Sequence, residues 1–181
     1  MADQGVSSIS NLALAVLIGR ASTPREFGAF SLAFSGYGLW VGLSRWVGGT
    51  IFVMRFASMP RHEQRPHSRA LTGVGLCVSI LGSVIFLISA LIIGGPVVSF
   101  FVITALLLPG LVIQDDWRQL MFAMRNSRAA FVCDLLWLVL EVPLLLVAHA
   151  ITGGSPDGYL VAWGIGALGA TAAFAIGRLF A

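Results

Sequence analysis

Six long apolar runs fill the chain almost from end to end, separated by short polar loops. An α-helix needs about 20 apolar residues to cross the hydrocarbon core of a bilayer, and no soluble fold of 181 residues hides six such stretches. The sequence is therefore read as an all-α integral membrane protein. Composition agrees: 57% of the residues are hydrophobic and only 10% are charged, whereas a soluble domain carries roughly 25% charged residues. The expected spans are Val6–Ala21, Phe27–Met54, Ala70–Ile93, Val97–Ile113, Ala129–Ala150 and Tyr159–Phe180, giving one membrane domain over residues 1–181. The first span is short and starts polar, and the fourth is bounded by Pro96 and Pro109. Gly94-Gly95-Pro96 and Thr152-Gly-Gly-Ser-Pro-Asp-Gly158 are turn-forming clusters too short to hold a soluble domain.

All eleven basic residues are arginine, and their distribution orients the chain. An even number of crossings puts both termini on one side. With them lie Arg55, Arg61, Arg65, Arg69, Arg118, Arg125, Arg128 and Arg178, while the other side holds only Arg20 and Arg25. The excess places both termini in the cytoplasm by the positive-inside rule. The abundance of arginine, alanine and glycine fits a GC-rich bacterium, whose inner membrane is the expected location. The start, Met1-Ala-Asp-Gln-Gly-Val, lacks the basic region of a secretory signal. Cys77 and Cys133 fall inside apolar runs and read as packing residues, not as a disulfide or metal pair.

A charged side chain at the centre of a membrane helix costs about 2.5–3.5 kcal/mol even on a lenient insertion scale. The few such residues therefore need protein or water around them. Glu141 lies in the middle of the fifth span, two residues before Pro143. That proline frees the carbonyl of Val139 and is expected to kink the helix. A carboxyl beside a kink can hold a proton, a cation or a substrate group; the plainer reading is a carboxyl that locks helices together. Arg45 ends a stripe of small residues, Ser31, Ser35, Gly38 and Gly42, along the second span. Pairing with an acid or snorkelling to the headgroups explains it first, and substrate binding second. At about 1.5 Å per residue, Arg45 lies roughly 13 Å from the cytoplasmic end of its span, Glu141 roughly 18 Å and Asp134 roughly 7 Å. Arg45 is thus expected to reach Asp134 or Glu141 if their helices are neighbours. Gln4, Ser8 and Asn11 give the first span a polar face that must meet other protein or a hydrated cavity.

Other motifs are weaker. Gly164-Ile-Gly-Ala-Leu-Gly169 matches the dinucleotide fingerprint, but it lies inside an apolar span with no preceding strand. It is read as a packing helix. His62-Glu63-Gln-Arg-Pro-His67 has the wrong spacing for a zinc-protease helix, and Pro66 interrupts it, so a basic cytoplasmic loop is expected. Asp115-Asp116-Trp117-Arg118 reads as a self-paired interfacial segment. No nucleophile–base arrangement, metal set, cofactor loop or nucleic-acid surface is present in the sequence, so neither an enzyme nor a nucleic-acid partner is expected.

Several of these segments carry a resemblance. Asp3-Gln4-Gly-Val-Ser-Ser-Ile-Ser-Asn11, Gly19-Arg20-Ala-Ser-Thr-Pro-Arg-Glu-Phe-Gly-Ala-Phe30, Gln114-Asp-Asp-Trp-Arg118, Phe122-Ala-Met-Arg125 and Asp134-Leu-Leu-Trp137 look like the N-terminal half of a bacterial polysaccharide flippase. That family belongs to the multidrug/oligosaccharidyl-lipid/polysaccharide exporter superfamily. The resemblance implies six transmembrane helices forming one lobe of a two-lobe exporter, with a cavity between lobes. It implies membrane lipids and a lipid-linked sugar as partners, together with a second lobe or a second copy of the chain. Arg45 would face lipid phosphates, and Glu141 or Asp134 would couple an ion. A small-molecule or cation exporter lobe is the rival within transport, and a non-transporting membrane component or truncated fragment is the rival outside it.

Overall fold

The computed structural model describes residues 2–56, 61–124 and 126–179, except for the side chains at 2–7, 53, 56, 61–66, 174 and 176–179. Arg125 and Phe180, and the side chains of Gln4, His62 and Glu63, therefore lie outside the described residues. The chain forms six helices: α1 (Ala2–Ala21), α2 (residues 24–56), α3 (Arg61–Ile93), α4 (Val97–Ala123), α5 (Ser127–Thr152) and α6 (Pro156–Leu179). Within α2, Pro24–Ser44 and Thr50–Phe56 are joined by a π-helical turn, Arg45–Gly49. No strand occurs among the described residues.

Local chemistry sets the ends. Thr23 caps α2: its Oγ1 accepts from the Glu26 N–H, while Glu26 Oε2 accepts from the Thr23 N–H at 2.8 Å, with Pro24 at the first helical position. The Thr23 backbone bond, then its hydroxyl, holds the Glu26 carboxyl below its ordinary range. Gly94 and Gly95, at φ 69° and 63°, make the turn between α3 and α4, a conformation that side-chain-bearing residues rarely adopt. Asn126 caps α5 by accepting from the Ala129 N–H, and Gly153 closes it in the left-handed region.

α3 with α4 and α5 with α6 form close antiparallel pairs. α4 is central, packing also on α2 and α6; α1 lies on α5 and α6 and meets α2 only sparingly. The core is drawn from all six helices and includes Leu14, Ile18, Phe30, Phe86, Leu108 and Val112. At its centre the Trp163 ring lies 5.8, 5.5 and 5.4 Å from the rings of Phe34, Tyr37 and Trp137. Glycines let α6 approach closely: a Cβ on Gly166 would sit 3.2 Å from the Glu141 Cα, and one on Gly164 would collide with Leu107. These are two glycines of the dinucleotide-like motif, here inside a helix and used for packing.

Three helical stretches, His67–Ile93, Val97–Ala123 and Ser127–Thr152, are long and apolar enough to cross a membrane. Ser8–Ala21 is apolar but shorter. The outer faces carry large apolar side chains such as Leu39, Leu81, Ile88, Leu106, Leu146 and Val147.

Two expectations about helix ends are corrected. α4 does not stop near Pro109 or Ile113 but continues to Ala123. Pro109 lacks an N–H and so frees the carbonyl of Ala105, four residues back. Ser83 on α3 donates its hydroxyl to that carbonyl at 2.7 Å, so the helix passes the proline without an orphaned group. Likewise residues 61–69 are not a loop: α3 runs through Pro66. Pro66 is the sixth residue of α3, so its missing N–H frees only the carbonyl of His62, near the start of the helix. α5 is helical straight through Pro143.

Candidate functional site

The π-helical turn sets the position of Arg45. The Arg45 carbonyl accepts from the Thr50 N–H, five residues on, and from Thr50 Oγ1 at 3.0 Å. Gly48 and Gly49 give this wider turn room to pack: a Cβ on Gly48 would lie 2.6 Å from Leu71. Arg45 then reaches across to α4 and makes a bidentate pair with Asp115, Nε to Oδ2 and Nη2 to Oδ1, both at 2.6 Å. Asp115 also takes Arg118 Nη2 at 2.9 Å, and Arg118 Nη1 reaches Asp134 on α5 at 3.3 Å. The result is an alternating chain of two guanidiniums and two carboxylates that ties α2, α4 and α5 together.

Beside it, the fully buried Asp116 accepts from Ser44 Oγ at 2.9 and 3.1 Å to its two oxygens. This contact depends on Gly75 of α3, because a Cβ there would lie 1.8 Å from Asp116 Oδ2. Consecutive residues of α2, Ser44 and Arg45, thus hold consecutive acids of α4.

The ionic chain walls a cavity of about 160 Å³ between α1, α2, α4 and α5, lined by Asn11, Tyr37, Arg45, Leu111, Gln114, Asp115, Arg118, Asp134 and Trp137. Three of the side chains expected from sequence, Asn11, Arg45 and Asp134, therefore meet at one place. Asn11 Oδ1 is buried and, among the described residues, has no hydrogen-bond partner. Arg45 lines a second, more open groove of about 540 Å³ with Gly42, Trp46, Gly49, Thr50, Met54 and Gln119. Its side chain, 42% exposed, forms the wall between groove and cavity.

Glu141, the fourth expected residue, is not in this cavity. It is 1% exposed, and Ser10 of α1 donates to its Oε2 at 2.5 Å. Its other oxygen has no hydrogen-bond partner among the described residues. Ser10 and Asn11 are neighbours in α1, so one turn of that helix touches both Glu141 and the cavity. Of the polar face expected on α1, Asn11 lines the cavity and Ser8 is exposed, while Ser10, which holds Glu141, is not part of that face.

Arg45 pairs with neither Asp134 nor Glu141, a correction with a simple cause. Once α4 runs to Ala123, Asp115 lies eight residues inside its end, roughly 12 Å deep at about 1.5 Å per residue. That matches the depth of Arg45. Asp115-Asp116 lies within α4 with both acids buried, and the expected Asp115–Arg118 self-pairing is present. Arg118 likewise belongs to the site and not to a loop. The small-residue stripe does not serve close packing at its centre, since a Cβ on Gly38 or Gly42 would meet nothing within 4 Å. Among the described residues no group of His, Cys, Asp and Glu is arranged to hold a metal ion.

No family model, curated protein or solved structure matches the chain.

Proposed function

We propose that the chain is a six-helix lobe of a membrane exporter of the flippase type, moving an amphiphile with a sugar-bearing anionic head, such as a lipid-linked polysaccharide precursor. The observation that carries this reading is the charge-balanced cavity, enclosed by helices whose outer faces are apolar and joined to an open groove at Arg45. Ionisable groups among helices of this kind are costly and are functional by default. All six helices cross the membrane in this reading, with both termini cytoplasmic, and a second lobe or second copy completes the passage. Arg45 Nη1 makes no hydrogen bond among the described residues, leaving one edge of the guanidinium for a lipid phosphate in the groove.

The test is leaflet exchange of a fluorescent prenyl-diphosphate glycan in proteoliposomes containing the full chain, read by bleaching from outside. Exchange above that of empty vesicles is expected, with a loss of at least tenfold in Arg45→Ala and Glu141→Gln at unchanged protein abundance. In Glu141→Gln, Ser10 still donates to the amide oxygen, so helix packing is retained. Absence of exchange, or full exchange in both variants, overturns the reading.

A further inference from the structure

The donor and acceptor pattern of the cavity defines a narrower ligand than its arginines alone would. Both guanidiniums are already neutralised: Arg45 by Asp115, and Arg118 by Asp115 and Asp134. A phosphate oxyanion offers only acceptors, and entering here it would lie beside two carboxylates. A hydroxyl group both donates and accepts. The cavity presents both functions side by side: carboxylates that only accept, guanidiniums that only donate, and the two-way groups of Asn11, Gln114 and Tyr37. Among the described residues Asn11 Oδ1 is buried without a partner, and neither Tyr37 Oη nor the Gln114 amide makes a hydrogen bond. The indole of Trp137 supplies an apolar wall, held in place by its own Nε1–H donating to the Trp163 carbonyl at 3.3 Å. At about 160 Å³ the cavity is well above the ~10–15 Å³ that one water needs, and it has room for a small polar ring.

We propose that this cavity is a binding site for a single polyhydroxylated ring, a glycosyl unit, entered from the groove past Arg45. The assignment rests on the exporter reading above for one point only, the source of the sugar, which is either the head of a lipid-linked glycan or a free saccharide. Vicinal hydroxyls bridge carboxylate and amide, and the ring's apolar face lies on Trp137. The ionic chain serves as a rigid frame, since its two inner members, Asp115 and Arg118, each bridge two partners.

Saturation-transfer NMR on the full chain in detergent micelles tests this, with methyl α-glucoside and the methyl glycoside of N-acetylglucosamine as probes and inorganic diphosphate as competitor. A saturable signal from at least one glycoside is expected, undisturbed by diphosphate. Affinity should fall at least tenfold in Asn11→Leu, which fills the cavity without breaking a hydrogen bond. Tyr37→Phe removes only a hydroxyl and should weaken the same signal at an unchanged melting temperature, which covers the case in which Asn11→Leu does not fold. Equal affinity for a free and a prenyl-diphosphate-linked glycoside assigns a free saccharide; tighter binding of the linked form assigns the lipid-linked source. Displacement by diphosphate, no glycoside signal, or a signal unchanged in both variants overturns the proposal. Glycoside binding without leaflet exchange would remove the exporter reading alone, and exchange without glycoside binding would remove this site alone.

Discussion

At the residue scale the informative contact is Ser44 with Asp116. The acid is fully buried and accepts from the Ser44 hydroxyl, in a space that exists because residue 75 is glycine. Ser44→Ala should destabilise the chain by about 1–3 kcal/mol, the cost of stranding a buried polar group. Gly75→Ala should cost a similar amount by overpacking, about 1–3 kcal/mol. Because both act on the same contact, the double variant should lose clearly less than the two single losses added together. Thermal unfolding in detergent measures all three, and full additivity would show that the contacts are independent. Sequence made Arg45, Asp134, Asn11 and Glu141 visible because polar groups are conspicuous in apolar runs. It hid Asp115 and Asp116, because two acids following an apolar run look like the end of a span.

At the scale of the element, α4 shows why that end was misplaced. A proline in an apolar run signals a break whenever the freed carbonyl has no other donor. Here the donor is Ser83, 22 positions earlier in the chain and on another helix, so nothing local announces it. If Ser83 is what lets α4 pass Pro109, the cost of Ser83→Ala should depend on the proline. We expect Ser83→Ala to destabilise by about 0.6 kcal/mol and at most about 1.7 kcal/mol, the range for hydrogen bonds between membrane helices. In a Pro109→Ala background the residue 109 N–H supplies the missing bond, and the Ser83→Ala cost should vanish. A double-mutant cycle read by unfolding in mixed micelles checks this. An equal cost in both backgrounds would detach Ser83 from the proline.

For the whole molecule, the alternation of helix directions puts the loops around residues 22–25, 94–96 and 153–155 at one end. Arg25 Nη2 would lie 3.5 Å from a Cβ on Gly95, which joins the first two of these loops. In the proposed reading, with six crossings and both termini cytoplasmic, this end faces away from the cytoplasm. In a chain whose two native cysteines are replaced, Ser155→Cys should react with a membrane-impermeant maleimide added to intact cells. Asn126→Cys should react only after permeabilisation. The reverse labelling would invert the orientation, and equal labelling of both would argue against a membrane-spanning bundle.

What the sequence determined by itself was the number of the helices, since an apolar run of sufficient length is a local property and so are its caps. The Thr23–Glu26 box, the Gly94-Gly95 turn and the Asn126 cap each lie within a few neighbouring residues and can be read directly. The tertiary structure alone decided which polar groups meet. By depth the sequence put two acids, Asp134 and Glu141, within reach of Arg45, and only the packing of α2 on α4 brought Asp115 to it. Side chains 70 and 131 positions apart, Arg45 with Asp115 and Ser10 with Glu141, are joined by helix packing. Packing depends on small residues such as Gly75 and Gly166, whose role appears only when the facing helix is in place. Helices form from neighbours in the chain, whereas a site among helices forms from neighbours in space.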